Sequence, residues 1–196
     1  MLQPFFVSTG LVALAEMGDK TQLLSLALAA RYRKPAPVFL GVLVATLADN
    51  AIAGGIGTLL SGVLHPAILN WAIVASFLLM AGWILIPEKL DESEISVAKH
   101  ATGVFAATVA AFFLAEMGDK TQVVTIALAA RFHDFIWVVT GTTVGMMLAN
   151  TPVIYLGSRF ARRLPAKALH IIAAIIFILL GALALRNAMT GAPVNT

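Results

Sequence analysis

Two copies of one charged segment, set 100 positions apart in apolar surroundings, constrain this chain more than any other feature. Residues 14–31 read LAEMGDKTQLLSLALAAR and residues 114–131 read LAEMGDKTQVVTIALAAR, identical at fourteen of eighteen positions. The offset persists outside the segment: Gly41 corresponds to Gly141, Asn50 to Asn150 and Gly57 to Gly157. Self-similarity at a fixed offset means that one structural unit is used twice.

The surroundings of the repeat are those of a membrane. Of the 196 residues, 60% are hydrophobic and 12% charged, with a mean hydropathy of +0.92. Soluble domains carry about 45–50% apolar and about 25% charged residues, so an ordinary soluble globule is excluded. Apolar runs occupy 4–30, 36–61, 66–86, 100–130, 135–157 and 166–186. Each is long enough for a helix crossing a hydrocarbon layer ~30 Å thick, the longer ones tilted or interrupted. Breakers separate several of them: Lys34-Pro35-Ala36-Pro37, His65-Pro66 and Leu164-Pro165.

The expected fold class is therefore an all-α membrane protein with six transmembrane helices, because backbone groups in lipid must be hydrogen-bonded within each helix. Continuous rather than alternating runs argue against a β-barrel. Cysteine is absent, which removes disulfides, thiolate metal sites and thiol nucleophiles. The net charge of +3 does not point to nucleic acid, since most basic residues flank apolar runs. The opening MLQPFFVSTGLVALAE lacks a basic leader region and a convincing cleavage site, and is read as the start of a retained span.

Three runs precede and three follow a polar stretch. This divides the chain into a first three-helix repeat at 1–86, an acidic linker at 87–99 and a second repeat at 100–196. An odd number of spans per unit sends the second unit into the membrane upside down. Such inverted repeats underlie many secondary transporters, with the site at the midplane between the halves. The loops after the first, third and fifth runs hold Arg31, Arg33, Lys34, Lys89, Lys99, Arg159, Arg162, Arg163 and Lys167, against Arg131 and Arg186 on the other side. By the positive-inside rule the linker is cytoplasmic and both termini are extracytoplasmic.

Away from the run ends, seven charged residues lie within the apolar runs: Glu16, Asp19, Lys20, Asp49, Glu116, Asp119 and Lys120. Each costs about 2.5–3.5 kcal/mol at the bilayer centre on insertion scales, and such residues are functional by default. Glu16 and Asp19, three apart, are expected on one helix face with Gln22 continuing the stripe; Lys20, four from Glu16, is expected to pair with it. Gly18 permits a local unwinding that frees backbone carbonyls. The second copy repeats this set as Glu116, Gly118, Asp119, Lys120 and Gln122.

Inverted symmetry is expected to bring the two copies face to face. Four carboxylates and two lysines leave a charge of −2, matching one divalent cation. A ligand set of oxygens alone suits hard cations such as calcium, magnesium or manganese and disfavours zinc and copper. Desolvated carboxylates also take up protons. Metal and protons binding one site by turns is the chemistry of an exchanger.

The doubled Glu-x-Gly-Asp-Lys-Thr motif, EMGDKT at 16–21 and at 116–121, resembles the second family of calcium:cation antiporters. These small six-span proteins include Golgi manganese/calcium exchangers and bacterial manganese exporters. The resemblance covers the whole chain, and neither motif departs from the pattern. It implies export of Mn2+ or Ca2+ from the cytoplasm against protons, with metal-site roles for Glu16, Asp19, Glu116 and Asp119. Lys20, Thr21, Lys120 and Thr121 become supporting positions, and Gln22 and Gln122 are added as amide-oxygen ligands. No resident cofactor is implied; the ion is cargo, and the partners are the lipid bilayer, the cation and protons. A bacterial-looking chain with compact, small-residue spans favours the inner membrane as location and Mn2+ as first substrate, with Ca2+ weaker. Asp49 faces Ala149 across the repeat, breaks its symmetry, and ranks below the motifs as a supporting group in proton coupling.

Blander readings compete with these. The motifs could serve as interhelical ion-pair glue, and Asp49 as a helix-end or packing group beside Asn50. Met17 and Met117, about 100° around from the glutamates, read as packing residues. His65, His100, His133 and His170, near run ends, read as interfacial or capping groups, and Trp71, Trp83, Trp137, Tyr32 and Tyr155 as interface anchors. Gly141-x-x-x-Gly145 lets helices approach. An intramembrane aspartyl protease needs a carboxylate dyad sharing a proton, whereas each Asp here has a Glu and a Lys in attendance. A passive cation channel fits a single inverted repeat less well than rocking between two access states. An amino-acid exporter would want an anion-binding group beside the acids.

Overall fold

A computed structural model describes residues 2–86, 103–157 and 165–190. The expected linker at 87–99, with Lys89 and Lys99, and the basic residues Arg159, Arg162 and Arg163 lie outside the described residues. Among the described residues all regular structure is helical, in two sets of four. The first half supplies α1 (Gln3–Glu16), α2 (Lys20–Tyr32), α3 (Pro35–Val63) and α4 (Pro66–Trp83). The second supplies α5 (Val104–Glu116), α6 (Lys120–Phe132), α7 (Phe135–Leu156) and α8 (Ala166–Thr190).

The sequence reading allows the longer runs to be interrupted and expects a local unwinding at Gly18 and Gly118, and the first and fourth runs are interrupted there. Each is broken in two within the charged motif. After Glu16, Met17 is extended (φ −67°, ψ 110°), Gly18 takes φ 92°, and Asp19 is extended again (φ −85°, ψ 173°) as the residue that opens α2. The second copy matches: Met117 at φ −65°, ψ 115°, Gly118 at φ 80°, Asp119 at φ −76°, ψ 164°. The cause is local. A positive φ is disfavoured for a residue with a Cβ and open to glycine, and Asp is among the preferred residues immediately before a helix. The residues that carry charge therefore also carry the break.

Among the described residues, three helices are long and apolar enough to cross a membrane by length and composition: Pro35–Val63, Pro66–Trp83 and Lys167–Thr190. Packing exchanges elements between the halves. α1 lies along α7, and its counterpart α5 lies along α3; α3 also contacts α6 and α7, α2 contacts α7, and α4 pairs with α8. The α1–α7 contact is close because Gly141 and Gly145 present no side chain. A Cβ at Gly141 would stand 2.6 Å from the Phe5 carbonyl oxygen, and one at Gly145 2.7 Å from that of Thr9. The Thr9 hydroxyl donates to the Gly141 carbonyl at 3.0 Å. The small-residue spacing is thus used inside the chain.

The distribution of polarity is the reverse of a soluble protein's. Outward faces of α3, α4, α7 and α8 expose Leu40, Leu59, Leu79, Ile136 and Leu179 among many large apolar residues. Soluble monomers rarely leave extended patches of this kind in water. Inside, alongside apolar clusters centred on Phe77, Met146 and Phe177 and on Leu24, Val42 and Phe112, stand eighteen buried polar or charged residues, including all four motif acids.

Candidate cation site between the two halves

The two breaks put the ends of α1 and α5 and the starts of α2 and α6 in the interior. Glu16, Asp19, Glu116 and Asp119 are each at most 3% exposed. Glu16, Glu116 and Asp119 each offer an oxygen, and the three oxygens lie within 4.8 Å of one another. For ligand distances of about 2.3–2.6 Å, opposite ligands of one cation stand about 4.6–5.2 Å apart, so the spread suits a single hard ion.

Hydrogen bonding orients these acids without exhausting them. Thr21 Oγ1 donates to Glu16 Oε2 at 2.6 Å, and Thr121 Oγ1 donates to Glu116 Oε2 at 3.2 Å. Glu16 Oε1, Glu116 Oε1 and Asp19 Oδ2 are buried with no hydrogen-bond partner. A buried acceptor left unpaired costs about 1–3 kcal/mol, more when charged. A cation is the partner that acceptor-only carboxylates lack.

The lysines pair across the repeat. Lys120 Nζ donates to Asp19 Oδ1 at 2.7 Å, and Lys20 Nζ lies 3.5 Å from Asp119 Oδ1. This corrects the expectation of a Glu16–Lys20 pair, and of Glu16 and Asp19 sharing a helix face. The break puts Glu16 at the end of α1 and Lys20 at the start of α2, so the i, i+4 relationship has no continuous helix to act through.

Gln22 and Gln122, expected as amide-oxygen ligands, each bond to the break itself. Their carbonyl oxygens accept the backbone N–H of Gly18 at 3.1 Å and of Gly118 at 3.0 Å. Gln22 Nε2 donates to the Ala149 carbonyl at 2.8 Å. Both glutamines sit at the third position of their helices and reach back in the manner of a capping box. These bonds hold the break.

Polar residues outside the motifs link the helices that carry the site. Ser25 Oγ donates to Asn150 Oδ1 at 2.7 Å, and Thr125 Oγ1 donates to Asn50 Oδ1 at 3.1 Å. These matched bonds tie α2 to α7 and α6 to α3; the correspondence of Asn50 with Asn150 was the available signal. His170, on α8, is half-buried with its Nε2 enclosed and without a hydrogen-bond partner. Its counterpart in the repeat is Asn70. Asp49 is 4% exposed on α3. Met117, expected to pack, is instead 62% exposed.

The chain matches the family model described as "Divalent cation/proton antiporter GDT1" over residues 4–92 and 104–192. It is 50% identical over 175 residues to a Vibrio cholerae protein named "Putative manganese exporter", covering 89% of this chain and 86% of that one. A GDT1-like protein of Synechocystis is 28% identical over 91% of this chain and 95% of its own length. GDT1-like protein 3 of Arabidopsis thaliana is 24% identical over 88% of this chain and 67% of its own. No solved structure gives a significant match.

Proposed function

The chain belongs to the GDT1 family of divalent cation/proton antiporters, and from that premise we propose that it exports Mn2+ from the cytoplasm in exchange for protons, through Glu16, Asp19, Glu116 and Asp119. A family of antiporters is a family of transporters and not of enzymes, which disposes of the aspartyl-protease alternative and counts against a passive channel. The observation that carries the reading is the buried trio of carboxylate oxygens within 4.8 Å, two of whose residues keep an unpartnered oxygen. Manganese is favoured over calcium by the name of the Vibrio relative and by a compact set of oxygen donors.

In this account Glu16, Glu116 and Asp119 supply the first ligands, and Thr21 and Thr121 fix the glutamates' orientation. Lys120 and Lys20 neutralise Asp19 and Asp119 when the ion is absent and yield them when it arrives. Protons on the same carboxylates replace the metal on the return step, so the two cargoes cannot travel together. The six apolar runs form six spans in two inverted repeats, at 1–86 and 100–196, with the first and fourth spans interrupted at the motifs. Rocking of one half against the other then exposes the site to each side in turn. The linker faces the cytoplasm of a bacterial cell and both termini face out.

Growth of cells expressing the protein in excess Mn2+ tests the substrate. Resistance is expected for the natural sequence and is expected to vanish with Glu16→Gln and with Asp119→Asn. Resistance that survives both substitutions contradicts the site. Protection against Ca2+ alone makes Ca2+:proton exchange the primary activity instead.

A further inference from the structure

Among the described residues, two buried carboxylate oxygens without a partner lie outside the four-acid site, those of Asp49. Asp49 is the central residue of the 29-residue helix α3, fourteen positions from either end, which removes a helix-end role. It is 4% exposed, and neither of its oxygens has a hydrogen-bond partner. The adjacent Asn50 is committed elsewhere: its oxygen accepts from Thr125, and its Nδ2 donates to Thr143 Oγ1 at 3.2 Å. The bond from Thr125 to Asn50 sets this stretch of α3 against the site: the Thr125 hydroxyl also reaches the carbonyl of Thr121 at 3.0 Å, and Thr121 is the donor to Glu116, whose Oε1 is itself without a partner. The symmetric position is Ala149, whose carbonyl accepts from Gln22. The repeat therefore folds with no carboxylate at this place, and the first half carries one that packing does not require.

We propose that Asp49 is a fifth carboxylate ligand for the divalent cation, acting with Glu116 on one side of an otherwise two-fold site. The inference rests on reading the motif acids as a hard-cation site. Glu116 is shared between the trio with Glu16 and Asp119 and the pair with Asp49. An ion moving between the two positions keeps one carboxylate throughout, so it never crosses the interior unligated. The site is then unequal on its two sides.

The test is Mn2+ binding by the purified full-length chain in detergent, read from the electron paramagnetic resonance signal of free Mn2+. Asp49→Asn keeps the shape and removes the charge; its affinity is expected to fall by about tenfold or more, because such sites are tuned by the charge and number of their ligands. Asp49→Glu keeps the charge and displaces the oxygens, and is expected to change the spectrum of the bound ion. Wild-type affinity in Asp49→Asn, or an unchanged bound-ion spectrum in Asp49→Glu should Asp49→Asn fail to fold, overturns the assignment. If the unaltered chain binds no Mn2+, the four-acid site falls and this inference with it; loss confined to the Asp49 variants supports the inference.

Discussion

Lys120 reaches across the repeat to Asp19, Nζ to Oδ1 2.7 Å, with both side chains almost wholly enclosed. The matching contact, Lys20 to Asp119, is longer at 3.5 Å and its lysine is 16% exposed. Two halves of one chain thus hold each other's aspartates, and they do so unequally.

Removing one partner of a buried pair leaves the other charge stranded, at a cost of about 3–5 kcal/mol. Lys120→Ala is therefore expected to lower the thermal stability of the detergent-solubilised protein strongly, and Asp19→Asn in the same chain to recover part of the loss. Equal stability of Lys120→Ala and the unaltered chain would contradict the pairing.

Lys20→Ala is expected to fold, to retain Mn2+ and to turn over more slowly, because the empty site then keeps an excess of negative charge. Binding and initial transport rates measured on the same preparation separate the outcomes. Normal transport, or a simple loss of affinity, rules out the counter-cation role.

Gly18 and Gly118 hold φ angles of 92° and 80°. A residue with a Cβ in a left-handed conformation pays about 1–2 kcal/mol, so Gly18→Ala is expected to favour a continuous helix through the motif. Transport is expected to fall sharply while the purified protein stays helical by circular dichroism. Full activity in both Gly18→Ala and Gly118→Ala would show that the break is dispensable.

The absence of native cysteine makes topology directly measurable. A cysteine introduced at Ser93 is expected to resist a membrane-impermeant maleimide in intact cells and to react once the membrane is opened; one at Gln3 is expected to react from outside. Labelling of the Ser93 position from outside would overturn the inverted arrangement.

The membrane class, the repeat and the four acids were legible in the sequence because each is a pattern along the chain. The breaks were half legible. Gly18 and Gly118 were readable as points of local unwinding, but the runs give neither the extended residues on each side of the glycines nor the restart of a helix at Lys20 and Lys120. The crossed lysine pairs were not legible, because they depend on how α2 and α6 meet in space, which no spacing within one motif encodes. Asn50 and Asn150 were visible as repeated residues, but only the contacts with Thr125 and Ser25 reveal their use.

The central claim is that Mn2+ and protons use one carboxylate site by turns. The most direct measurement is Mn2+ uptake into liposomes holding the purified protein, with and without an imposed pH gradient. The account predicts that uptake is driven when the lumen is the more acidic side, is accompanied by proton movement in the opposite direction, and is abolished in Glu16→Gln and Asp119→Asn. Uptake that ignores the gradient, or proton movement that persists without Mn2+ in these variants, would contradict it.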